Sequence, residues 1–149
     1  MTEYINKYIL FYSRNKEYGW LSNFERATQM VDGLYYQTNE HYYQSQKGKT
    51  ERIRFWIRSA PNPFLAMKAG RSLRKKEIIP YWDAKKLLIM KKGLRAKFDQ
   101  NSLLAKKLLA TGNATLHENS PTDMFWGIKG KDMLGKLLMQ VRGELKNGL

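Results

Sequence analysis

The 149 residues contain no cysteine. Disulfides, thiolate metal sites and cysteine nucleophiles are therefore excluded, and the chain suits a reducing compartment. Histidine is scarce as well. His41 and His117 are too few for a histidine-rich metal site, so no metal is expected. Apolar runs extend only a few residues, far short of the roughly 20 that cross a bilayer. No charged segment followed by an apolar one opens the chain. The expectation is a cytoplasmic protein with no membrane partner. The Gly-x-Gly-x-x-Gly, His-Glu-x-x-His and Gly-x-Ser-x-Gly motifs are absent, and Gly127-Ile-Lys-Gly-Lys131 lacks phosphate-loop spacing. No Gly/Ser/Pro-rich linker or internal repeat divides the chain, so one domain over residues 1–149 is expected.

Acidic residues are also few, 13 against 27 lysines and arginines, for a formal net charge of +14. The excess is concentrated. Residues 47–97 hold 16 basic and 3 acidic residues, a net of +13, whereas residues 1–46 sum to −1 and residues 98–149 to +2. Phe55, Trp56, Tyr81, Trp82 and Phe98 lie in or beside this basic third. Cations interleaved with rings suit nucleic acid or a phosphorylated nucleotide. The plainer alternative is the solvated surface of a basic protein.

The organisation is α+β: a predominantly helical chain with a small N-terminal antiparallel sheet. Residues 8–12 are β-prone, and Asp32-Gly33 between apolar residues predicts a hairpin. Thr38 or Asn39 is placed to cap a helix running from Glu40 to Lys47. Ile53, Trp56 and Ile57 give helical spacing next. Pro61 and Pro63 mark a break before a helix beginning at Phe64. Further stripes are Leu87, Met90, Leu94 and Phe98, then Leu134, Leu137, Leu138, Val141 and Leu145. Gly112 reads as a helix C-terminal cap.

The helix at Glu40 carries unusual chemistry. Positions i, i+3, i+4 and i+7 are Glu40, Tyr43, Gln44 and Lys47, which one face of a continuous helix would present together. Facing a cleft, this stripe offers an acid/base, hydrogen-bond donors and a nucleophilic amine. Facing solvent, Glu40 and Lys47 merely complement the helix dipole. Asp123 precedes Met-Phe-Trp126-Gly127 and either orients a substrate hydroxyl or supports a turn capped by Ser120 or Thr122. Trp82 either stacks on a base or belongs to the core.

These motifs occur in a recognisable order: Phe11-Tyr-Ser13, Leu21-Ser-Asn23-Phe24, Asn39-Glu-His-Tyr-Tyr-Gln-Ser-Gln-Lys47, Ala69-Gly-Arg71, Trp82 and Gly93-Leu-Arg-Ala-Lys-Phe98. Leu108-Leu-Ala-Thr-Gly-Asn-Ala114, Asp123-Met-Phe-Trp-Gly127 and Leu134-Gly-Lys-Leu-Leu-Met139 complete the series. The chain thus resembles the NADAR, or YbiA-like, family from about residue 9 to residue 145. Two departures stand out: a short loop at residues 128–131, and Asp132 where an asparagine is expected.

The resemblance implies hydrolysis of an N-glycosidic bond in a phosphorylated ribosyl compound, without a cofactor. Substrates of the family include ADP-ribosylated guanine in nucleic acid and early phosphorylated riboflavin-pathway intermediates. Glu40, Lys47 and Asp123 fall on the family's catalytic positions. Glu40 is expected to act as general acid/base or to stabilise an oxocarbenium ion. Lys47 is expected to form a Schiff base with the opened ribose. Trp82, Tyr43, Gln44, Arg71, Asn23, Trp126 and Gly127 are the expected substrate-binding residues. The basic third favours modified nucleic acid over a free metabolite. A non-catalytic binder of ADP-ribose or nucleic acid is the remaining alternative, disfavoured because it has no need of Glu40, Lys47 and Asp123.

Overall fold

A computed structural model of the chain describes residues 7–149. The strands are β1 (Tyr8–Phe11), β2 (Gln29–Val31), β3 (Leu34–Tyr36) and β4 (Thr115–Glu118). The helices are α1 (Asn39–Ser45), α2 (Glu51–Arg58), α3 (Pro63–Arg71), α4 (Trp82–Gln100), α5 (Ser102–Ala110) and α6 (Met133–Lys146). Helices predominate and the sheets are small, as the sequence predicts. Two compact units are present: residues 26–100, and the segment up to Glu25 together with Asn101–Leu149.

In the 26–100 unit, β2 and β3 form the expected antiparallel hairpin. Asp32 and Gly33 both take positive φ, 52° and 83°, the backbone that a tight primed hairpin turn requires. Thr38 caps α1 by accepting a hydrogen bond from the His41 amide at 3.1 Å. Every residue of α1 is buried, although the helix contains no aliphatic side chain. Its environment explains this. Gly70 of α3 and Gly93 of α4 both abut α1 where a methyl group would not fit. A Cβ on Gly70 would stand 2.0 Å from Gln44 Oε1, and one on Gly93 would stand 2.2 Å from Asn39 Oδ1.

The polar atoms of α1 are largely paired inside the unit. His41 Nε2 donates to the Ala60 carbonyl at 2.9 Å, leaving Nδ1 to accept from Thr38 Oγ1 at 2.8 Å. Asn39 Oδ1 accepts from Gln29 Nε2 at 3.0 Å, and the same amide nitrogen donates to the Gly93 carbonyl at 3.2 Å. The aliphatic core of this unit lies elsewhere, where Ile57, Ala60 and Ala66 are packed by Ile53, Ala69 and Leu73. α3 starts at Pro63, one residue before the expected Phe64, with Asn62 as its cap and the proline in the first turn rather than in the break. On α4, Met90, Leu94 and Phe98 are buried and Leu87 is half-buried. The burial of Phe98 removes it from the exposed rings of the basic third. Trp56, by contrast, shares its helical spacing with Ile53 and Ile57 yet points to solvent.

In the other unit, β1 does not belong to an N-terminal antiparallel sheet. It pairs in parallel with β4, Tyr8 opposite Thr115 and Phe11 opposite Glu118. A parallel pair needs a long crossover, here everything between residues 11 and 115. Thr115-Leu-His-Glu118 has one large apolar residue, too little alternation to mark a strand. α6 packs on β4 along the predicted stripe, with Leu134, Leu137, Leu138 and Val141 buried and Leu145 half-buried. α5 ends at Ala110 with Thr111 as its C-cap, followed by Gly112 at φ 63°.

Candidate functional site

In the 26–100 unit the proposed chemistry is built on α1. Glu40 lies in the first helical turn and is only 7% exposed. Its Oε2 accepts a hydrogen bond from Gln44 Nε2, one turn later, at 2.8 Å. Gln44 is held in turn by Gly70, whose lack of a side chain lets α3 close onto it. The sequence did not assign Gly70 this role, although Ala69-Gly-Arg71 is one of the ordered motifs.

Lys47 is not on the helix. α1 stops at Ser45 with Gln46 as its C-cap, two residues short of the expected end. The chain then tightens, the Lys47 amide donating to the Gln44 carbonyl and the Gly48 amide to the Ser45 carbonyl. The Lys47 carbonyl accepts from the Ile79 amide at 2.9 Å, and Gly48 bridges Ile78. This extended pairing draws the backbone out of helical register. The Lys47 side chain nevertheless returns to the face that helical spacing predicts. Its Nζ lies 5.7 Å from the centroid of the Tyr43 ring and 5.8 Å from that of Trp82. A ring face attracts an ammonium at this distance.

Trp82 is half-buried, and its ring centroid lies 5.2 Å from that of Tyr43 at an interplanar angle of 54°. It is neither a fully buried core residue nor a free platform. Tyr81 immediately before it has φ 63°, the left-handed region disfavoured for an aromatic residue by roughly 1–2 kcal/mol. From there its carbonyl accepts the Ala84 and Lys85 amides, which starts α4 and sets Trp82 in the first turn. Arg71 is exposed at the end of α3, next to Gly70. The 26–100 unit thus pairs Glu40 with Gln44 and gathers Tyr43, Lys47 and Trp82, both sets starting from α1, with Arg71 one residue beyond the glycine that backs Gln44.

The remaining candidates belong to the other unit. Asp123 Oδ1 accepts from the Phe125 and Trp126 amides at 3.0 and 2.8 Å, while the Asp123 amide donates to Ser120 Oγ at 3.0 Å. These are the bonds of the turn-supporting reading, in which Ser120 caps the turn. Trp126 and Gly127 are buried, and Trp126 packs edge-on against Phe125 with centroids 4.6 Å apart. Asn23 is buried as well. Asp132 takes φ 56° and precedes α6, a backbone that aspartate and asparagine tolerate alike. Its Oδ2 meets His117 Nδ1 at 2.5 Å. An open cleft of about 760 Å³ lined by Leu109, Arg142 and Lys146 among others contains none of the candidate residues. Among the described residues no group of three or more His, Cys, Asp or Glu side chains could hold a metal ion, and no helix is long and apolar enough to cross a membrane.

A buried carboxylate held by an amide, on a short helix that also presents a phenol to an indole and an amine, offers groups suited to acid–base and nucleophilic work on a polar substrate. The comparisons with known proteins give the family. The NADAR domain profile matches residues 10–146, and the chain belongs to the NADAR family. It is 43% identical over 141 residues to the N-glycosidase YbiA of Escherichia coli, covering 92% of this chain and 88% of that protein. The NMR structure of E. coli YbiA superposes with a TM-score of 0.87 at 41% identity, over 96% of this chain and 87% of that one. A riboflavin biosynthesis protein of Vibrio vulnificus is 35% identical over 142 residues, 93% of this chain but 38% of that longer protein.

Proposed function

We propose that the protein is an N-glycosidase that removes ADP-ribose from guanine in nucleic acid. The family and the N-glycosidase relatives support the reaction class. The observation that favours a nucleic-acid substrate is the net charge of +13 over residues 47–97, which follow directly on α1 and carry Lys47, Arg71 and Trp82. In this reading Glu40 protonates the departing base, or its carboxylate faces the positive charge that develops on the ribose. The Lys47 amine attacks the anomeric carbon as the carbon–nitrogen bond to the base breaks. The ring opens to an imine, and water hydrolyses it to free sugar and regenerated amine. The sum is one water consumed, with its hydrogen on the base and its hydroxyl on the sugar. Trp82 and Tyr43 contact the base, Gln44 orients Glu40, and Arg71 pairs with phosphate.

A second reading, a phosphorylated riboflavin-pathway intermediate as substrate, is favoured by the Vibrio relative's name. Incubation with ADP-ribosylated guanine oligonucleotides and with such intermediates, followed by mass spectrometry of the released products, separates the two. Lys47→Ala and Glu40→Gln are each expected to lower kcat by about 100-fold or more in folded protein. Borohydride added during turnover is expected to leave a sugar adduct on Lys47. Full activity of Lys47→Ala removes the amine from the mechanism.

A further inference from the structure

Two helices of the 26–100 unit carry aromatic rings on the side their core does not use. On α2, Ile53 and Ile57 serve the Ala60–Ala66 cluster. Arg52, Phe55 and Trp56, at i, i+3 and i+4, point to solvent, with Phe55 58% and Trp56 55% exposed. On α3, Ala66 and Ala69 serve the same cluster, while Phe64, Lys68 and Arg71 follow one another outward at i, i+4 and i+7. Phe64 is 52% exposed. Cations attend these rings: the Arg58 guanidinium lies 5.4 Å from the Phe55 centroid, and Lys68 Nζ lies 5.5 Å from that of Phe64.

We propose that the outward faces of α2 and α3 dock single-stranded nucleic acid. The proposal rests on the nucleic-acid reading above and adds to it a surface separate from the reacting groups. Bases stack on Phe55, Trp56 and Phe64, and phosphates pair with Arg52 and Lys68. The α3 stripe has a direction. From Phe64 to Arg71 it covers about 10 Å, at 1.5 Å per residue. It ends beside Gly70, which backs the glutamine bonded to Glu40. A strand held on the stripe is thereby led to the end of α3 that adjoins the reacting carboxylate.

Two features select this occupant. A helix lying on a membrane segregates its rings from its cations, whereas here both share one face. Duplex DNA keeps its bases stacked on each other, whereas a single strand offers them to protein rings. The charge is complementary as well, 16 basic against 3 acidic residues over residues 47–97.

The test uses the full chain with Phe55→Ala, Trp56→Ala and Phe64→Ala combined. These are exposed positions, and thermal unfolding confirms that the variant folds. Fluorescence anisotropy with a labelled oligothymidylate is expected to show at least about tenfold weaker binding than wild type. Lys68→Gln is expected to reduce the slope of log affinity against log salt by about 0.7. Wild-type binding that the triple variant retains overturns the proposal, as does a wild type that binds no oligonucleotide. Loss confined to binding of anionic phospholipid vesicles also overturns it, in favour of a membrane surface. The reaction is scored separately. If the triple variant releases ADP-ribose from the oligonucleotide with wild-type kcat/KM, the reaction stands and the docking surface falls. If the variant loses oligonucleotide binding while wild type releases nothing, the surface stands and the reaction reading falls.

Discussion

The substitution Gly70→Ala sets two effects of known size against each other. In a helix interior, alanine is favoured over glycine by roughly 0.5–1 kcal/mol. At Gly143 of α6 nothing opposes this gain, because no atom beyond its chain neighbours and the helix's own backbone lies within 4 Å of the position a Cβ would take. At Gly70 the same methyl group would stand 2.0 Å from Gln44 Oε1, 2.8 Å from Cδ and 2.9 Å from Cβ. Rotating the amide relieves the first contact but not the last, since Cβ is fixed to the α1 backbone. α1 and α3 must therefore separate, and overpacking of this kind costs about 1–3 kcal/mol. The bond from Gln44 to the Glu40 carboxylate is strained or lost at the same time, and hydrogen bonds to charged groups contribute about 1.5–3 kcal/mol. The net expectation is a loss of about 1–3 kcal/mol for Gly70→Ala and a gain of up to about 1 kcal/mol for Gly143→Ala. Urea unfolding measures both from the midpoint shift at constant slope. Turnover should fall only in Gly70→Ala, because only there does the support of Glu40 move. If both variants are stabilised equally with activity intact, the close α1–α3 approach is not what holds Gln44.

Burial pushes His41 below its ordinary value of 6.5, outweighing the raising effect of its bond to the Ala60 carbonyl. The native ring therefore stays neutral where the unfolded one takes up a proton. Stability is full above about pH 6.5 and is lost as pH falls towards the lower native value. Tm should decline on acidification through this window, and the decline should be shallower in His41→Gln; identical profiles would remove His41 as the cause. At Asp132, Asp132→Ala forfeits both tolerance of φ 56° and the bond to His117, for an expected loss of about 2–3 kcal/mol. Asp132→Asn keeps the backbone preference and an acceptor oxygen, so urea unfolding should show less than half that loss.

Local signals carried much of the fold. Thr38 names the start of α1 because a threonine oxygen three residues before an amide is geometry that sequence encodes directly. Asp32-Gly33 and the α6 stripe are legible for the same reason, since their neighbours are also neighbours along the chain. The misses share the opposite property. β4 was invisible because its partner is β1, about a hundred residues earlier, and one leucine gives no alternation. Where α1 ends was equally hidden. Nothing in Gln46-Lys47-Gly48 announces that Ile78 and Ile79 will pull those residues into extended pairing. Helical spacing still put Lys47 beside Tyr43, because the turn that replaces the last helical residues carries its side chain back to the same rings. At Asp123 the sequence offers a turn capped by Ser120 or Thr122 beside a contact to a substrate hydroxyl, and the turn is there, with Ser120 as its cap.

α1 also bears on how a site of this kind is made. A seven-residue helix is too short to be stable alone, so its geometry must be imposed by its surroundings. Those surroundings would hold an aliphatic helix at less cost, since each buried polar group must recover in protein bonds what it loses in water. The chain instead buries Asn39, Glu40, His41 and Gln44, bonds them to Gln29, to the Ala60 carbonyl and to one another, and closes two glycines of adjoining helices onto them, leaving Gln44 Oε1 without a hydrogen-bond partner among the described residues. Such an arrangement is a poor choice for stability and a good one for fixing a carboxylate in one orientation. Glu40 is bonded by Gln44, which is stopped by Gly70, on a helix whose start is clamped by Thr38 and His41. Each contact removes a rotation that would otherwise have to be lost when substrate binds. Exposed capping charges would need none of this support. The burial of Glu40, and the close approach of Gly70 to the glutamine bonded to it, are the physical ground on which the proposal places the reaction on α1.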